Sequence, residues 1–140
     1  MAEASATKRP AWRSIGFWLC AAIVLLLARN VFASVSDPIA FASYLGLPLA
    51  PEDAGWTSIY ALRTGFIAAL VAVLMARGDF AVLAWVAGVG TLMPLGDAAL
   101  THQADAAQAT VARHLAIAAY LVVTTVVLIF ENRARARREA

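Results

Sequence analysis

Residues 80–100 read FAVLAWVAGVGTLMPLGDAAL, an apolar run with a single acid, Asp97, near its far end. About 20 residues in a helix rising 1.5 Å each cross the hydrocarbon layer of a bilayer, so this stretch reads as a transmembrane helix. A carboxylate in such a segment is costly unless it meets a partner or a water-filled cavity, and by default it marks a functional site. The small residues Ala84, Ala87, Gly88 and Gly90 allow neighbouring helices to approach closely. Pro94, one turn before Asp97, removes a backbone donor and predicts a kink that opens the bundle beside the acid.

The rest of the chain follows the same pattern. Its 140 residues are 62% hydrophobic and only 14% charged, where a soluble domain would carry about a quarter charged residues. That surplus of apolar surface needs lipid as its solvent. Further spans are expected at about 15–35, 56–76 and 109–130, beside the one at 80–100. The fold class is therefore all-α, a four-transmembrane-helix bundle occupying residues 14–131 as one domain. A disordered basic arm at 1–13, with Lys8, Arg9 and Arg13, precedes it, and a basic tail at 132–140 follows. Ile15 to Val35 also has the make-up of a secretory signal, with Val31-Phe32-Ala33 before Ser34 resembling a cleavage site. A retained first helix is the reading adopted.

Ser36-Asp37-Pro38 ends the first helix. The segment from Pro38 to Leu49 is too short to span and too apolar for a solvated loop, so it reads as a short amphipathic segment between helices 1 and 2. Pro51-Glu52-Asp53 leads into the second span, and Gly78 suits that helix's C-terminus. Basic residues gather at both termini and at Arg77, whereas Asp37, Glu52, Asp53 and Asp105 fall in the other connections. The positive-inside rule then makes both termini cytoplasmic, as in a bacterial inner membrane. The net charge of +2 sits mostly at the two ends. This serves topology, and no nucleic-acid partner is expected. The lone Cys20 lies in an apolar run and reads as an inert buried thiol.

Placed by depth, the polar residues of the spans fall on one side. Asn30, Arg63, Asp97 and His114 each lie roughly 6 to 12 Å from the outer surface, one per helix. Tyr60 stands one turn outward of Arg63. These five, Arg63, Asp97, His114, Tyr60 and Asn30, are the candidate ligand-binding residues. Arg113, about 100° from His114 on the same helix, reads as an interfacial snorkelling residue, and Arg29 as a headgroup contact. His102 reads as solvated. The bland reading is an Arg63–Asp97 ion pair that fixes helix packing, with His114 as an accessory.

Several chemistries are excluded. The chain has no paired-His zinc motif, no Gly-rich phosphate loop after a strand and no nucleophile elbow. One loop histidine and one helix histidine do not make a bis-His haem site, and Asp97 with His114 is two ligands short of a closed zinc sphere. No metal and no cofactor is expected. What remains is an acid–base pair, with Asp97 tuning His114 and Arg63 binding an anion or polarising a carbonyl.

Gly46-Leu47-Pro48, Arg63 with Gly65, Pro94-Leu95-Gly96-Asp97 and His114 together resemble the DUF4267 family of small four-helix membrane proteins, over about Ile15 to Phe130. The resemblance implies the four-helix fold and no defined function. The family pattern has an Asp after the span-two arginine. Thr64 stands there instead, which counts against any role requiring two acids.

Two functional readings follow. In the first, an outer-side polar pocket binds a lipid-like, isoprenoid or quinone-type molecule. In the second, the chain is a structural or accessory subunit of a homo- or hetero-oligomer, and its polar cluster serves helix packing. The absence of a complete catalytic set supports the second.

Overall fold

The computed structural model describes residues 11–139, with side chains described for 12–137. The disordered arm expected at 1–13 lies mostly outside the described residues, and its last three, Ala11–Arg13, form a 3-10 turn. Ser14 starts the first helix: its Oγ accepts the Phe17 N–H at 3.1 Å, satisfying one of the free donors of the first turn. Six helices follow: α1 Ile15–Ser36, α2 Pro38–Leu45, α3 Gly55–Arg77, α4 Phe80–Gly90, α5 Leu92–Gln103 and α6 Gln108–Glu139. No strand occurs among the described residues.

The chain is an integral membrane protein with four spans, Ile15–Ser36, Pro51–Arg77, Phe80–Gln103 and Gln108–Arg137. The last runs beyond its expected end because the basic tail continues α6 as helix through Glu139. The third is two helices, broken at Thr91. Pro94 has no N–H to give the carbonyl one turn back, and the Thr91 hydroxyl donates to the Ala87 carbonyl at 3.0 Å.

α1 packs along α3, and α4 and α5 pack along α6, with α1 also touching α6. Three of the four small residues act where helices meet, whereas Gly90 faces open space. Ala84 and Ala87 are buried, and a Cβ on Gly88 would rest 3.5 Å from Thr125 of α6. Nearer the chain termini, Cys20, Val71, Leu74, Phe80, Leu83 and Leu128 form the apolar core. Two polar contacts tie α1 to α6 across the bundle. The Tyr120 hydroxyl donates to the Leu19 carbonyl at 3.0 Å, and Glu131 Oε1 accepts the Gly16 N–H at 3.2 Å. Leu25, Phe32, Leu62, Phe66 and Trp85 are exposed. In lipid such side chains need no cover, and packing and hydrogen bonds hold the helices together.

α2 is the short segment expected between the first two spans. Asp37 caps it, its Oδ1 accepting the Ala40 N–H at 3.0 Å, and Pro38 occupies the first turn. Phe41 and Ala42 are buried, while Ala40 and Ser43 face out. Its far end is closed by Gly46 at φ 88°. A Cβ there would lie 2.6 Å from the Thr110 methyl and 3.2 Å from that of Thr101. Only glycine supplies both the left-handed turn and the close approach to α5 and α6.

Candidate functional site

The last carbonyls of a helix lack partners within it. In α2 all four are satisfied, and α6 supplies half of the donors. Gly46 N–H and Leu47 N–H turn back onto the carbonyls of Ser43 and Ala42, at 3.0 and 3.1 Å. An Nη2–H of Arg113 donates to the Tyr44 carbonyl. His114 Nε2 lies 3.1 Å from the Leu45 carbonyl. A carbonyl only accepts, so Nε2 carries the hydrogen, and a positive side chain at a helix C-terminus also complements its dipole. The expectation that Arg113 only snorkels is thereby corrected.

His114 is buried, and its Nδ1 faces Asp97 Oδ2 at 3.9 Å, an ion-pair distance longer than a hydrogen bond. Asp97 itself is half exposed, at 52% of its side chain. The two therefore form a dyad with one buried and one accessible member. With Nε2 committed to Leu45, Nδ1 is the ring nitrogen that faces the carboxylate.

A second group gathers on Tyr44. The Arg29 guanidinium lies 4.9 Å from the Tyr44 ring centroid, and that of Arg113 lies 3.8 Å from it. Arg29 Nη1 donates to the Tyr44 hydroxyl at 3.2 Å. That hydrogen bond, reinforced by the charge of Arg113, holds the phenol below the usual tyrosine range against the opposing effect of burial. From Arg29 the network runs on through Asn30, whose Nδ2 lies 3.5 Å from the Tyr60 hydroxyl. The Tyr60 ring in turn lies 5.0 Å from that of Phe41 in α2.

The structure thus joins Asp97 to His114 and Asn30 to Tyr60, and α2 touches both pairs. Arg63 is different: it is exposed, and no hydrogen bond or ion pair joins it to any described residue. The buried residue on that turn is Thr64. One position earlier, Arg63 is rotated by about 100° onto the outward face, so neither a shared pocket with Arg63 nor an Arg63–Asp97 pair forms. The residues missed by sequence reasoning are Arg29, Tyr44 and Arg113. Their signal was a tyrosine two residues before the Gly-Leu-Pro turn, inside a segment too apolar for a loop.

Two hollows open along α1. One, of about 220 Å³, lies between α1 and α2 and is lined by Arg29, Ala33, Ser36, Asp37, Ala40, Phe41 and Tyr44. The other, of about 490 Å³, is an apolar groove formed by Ala28, Val31, Phe32 and Val35 of α1 with Gly65 and Ala68 of α3. Among the described residues no three His, Cys, Asp or Glu side chains converge as metal ligands would.

Residues 21–128 match the family model of a domain of unknown function, DUF4267. No curated protein and no solved structure gives a significant match.

Proposed function

We propose that this chain, which belongs to the DUF4267 family, is a membrane-embedded binding protein holding a lipid-like amphiphile at the outer end of its bundle. One observation carries the reading. The hollow between α1 and α2 sets the polar groups of Arg29, Ser36, Asp37 and Tyr44 beside the apolar Ala33, Ala40 and Phe41. A few convergent polar groups in an otherwise apolar recess are what orient a hydrophobic ligand. The neighbouring face of α1 carries the apolar groove, which suits an acyl or isoprenoid chain.

The orientation adopted is a bacterial inner membrane with both termini cytoplasmic. Arg13, Arg77, Arg133, Arg135 and Arg137 support it, all lying toward the end opposite the α2 segment. The purified chain, extracted with organic solvent and analysed by mass spectrometry, is expected to yield one lipid class strongly enriched over the bulk membrane. An extract with the composition of the bulk membrane contradicts the proposal.

A second reading rests on a different observation. Arg113 and His114 spend hydrogen bonds on pinning α2. In that reading the polar cluster serves the architecture, and the chain is an accessory subunit presenting its outer face to a partner. Retention of one partner protein by the detergent-purified chain, with no enriched lipid, favours it.

A further inference from the structure

We infer that the hollow between α1 and α2 recognises a phosphate-bearing anion through Arg29, with Arg113 strengthening the positive field from beside the same tyrosine. This rests on the amphiphile site proposed above and names the chemistry of its polar end. Two guanidiniums approach one ring, at 4.9 and 3.8 Å from its centroid, and neither makes a salt bridge with any described residue. Like charges gathered in a membrane-embedded site repel, and an anion between or beside them removes that cost.

Arg29 has the donors to spare. Its two hydrogen bonds, to the Tyr44 hydroxyl and to Asn30 Oδ1, both leave from Nη1, while a guanidinium carries five N–H groups in a fork that fits phosphate. The Ser36 hydroxyl lines the same wall. One carboxylate lies there too, that of Asp37, and its Oδ1 is engaged by the Ala40 N–H. Its single charge opposes an anion, but two guanidiniums stand against it. Arg29 is seven residues from the end of α1 at Ser36, about 10 Å along the axis. That is a depth its long side chain bridges to the headgroup layer.

The test uses the full chain in mild detergent, titrated separately with dioctanoyl phosphatidic acid and with dioctanoylglycerol, which has the same tails and no phosphate. Phosphatidic acid is expected to bind at least about tenfold tighter, the effect of one charge-assisted hydrogen bond. Arg29→Gln loses that preference, and Arg29→Lys, which keeps the charge without the fork, retains part of it. Since Arg29 is exposed, both variants are expected to melt like the wild type. Inorganic phosphate serves as a third probe: competition identifies free phosphate as a sufficient ligand, and its failure to compete identifies the lipid-borne group, either outcome supporting the inference. Equal binding of the two lipids, unchanged in Arg29→Gln, overturns the inference and leaves the amphiphile site standing. Binding of neither lipid overturns both.

Discussion

His114 and Leu45 are 69 positions apart in the chain and meet at 3.1 Å, imidazole Nε2 to main-chain carbonyl. With the Arg113 bond to the preceding carbonyl, this contact fixes the short α2 helix against α6. It therefore sets one wall of the hollow that the functional proposal depends on.

Replacing His114 with alanine leaves the Leu45 carbonyl without its donor. An unsatisfied group of this kind costs about 1–3 kcal/mol. His114→Ala is expected to lower the thermal midpoint in detergent clearly, and Asp97→Asn to lower it much less, because Asp97 is half exposed and sits at ion-pair distance only. Differential scanning fluorimetry of the two variants checks this, and an equal loss in both would show that the carboxylate carries the packing.

Two glycines should respond in opposite ways. Gly46→Ala forces a side chain into a left-handed backbone and against the Thr110 methyl. A cost of about 1–3 kcal/mol follows from the backbone strain alone. Gly88→Ala places its methyl in ordinary contact with Thr125 and gains helix propensity of about 1 kcal/mol. Thermal unfolding of the two variants should move in opposite directions.

Tyr44 should ionise earlier than an ordinary tyrosine, whose value is 10.0, because the Arg29 hydrogen bond and the Arg113 charge favour the phenolate. For an acid whose folded value is lowered, the added stability is fully present above the unfolded value and is lost as pH falls through the folded one. The window thus lies in alkaline solution, between the lowered value and about pH 10, and vanishes at neutrality. Absorbance titration at 295 nm should show an early step that Tyr44→Phe abolishes. A titration in which the two proteins coincide rules this out.

Topology can be read by labelling. In a Cys20→Ser background, a cysteine at Glu52 is expected to react with a membrane-impermeant maleimide in intact cells, and one at Asp79 only after lysis. The reverse pattern would invert the chain and put the α2 hollow on the cytoplasmic side.

Much of this architecture is legible in the residues themselves. The spans declare themselves by apolar length, the Gly78 turn by residue type, and Asp97 and His114 by their shared depth. Depth, however, fixes position along a helix axis and says little about the direction a side chain takes around it. That is why depth alone groups Arg63 with a site it does not join, while its buried neighbour Thr64 takes the inward face. The pinning of α2 was illegible for another reason. Its acceptors are the main-chain carbonyls of Tyr44 and Leu45, and every residue has such a carbonyl, so no residue type marks them. From sequence Arg29 reads as a headgroup contact and Arg113 as a snorkelling residue, because long cationic side chains near helix ends usually reach for water. Here a tyrosine from a non-spanning helix stands within their reach.

The central claim is that the hollow between α1 and α2 holds an amphiphile. Ala40 lines that hollow from α2, and its side chain is exposed, so Ala40→Trp fills the space without removing a polar group. Native mass spectrometry of wild-type and Ala40→Trp chains, released from the same mild detergent, tests the claim most directly. A lipid-mass adduct is expected on the wild type and is lost or sharply reduced in the variant, with thermal stability unchanged. An adduct of equal occupancy on both proteins, or none on the wild type, would contradict it.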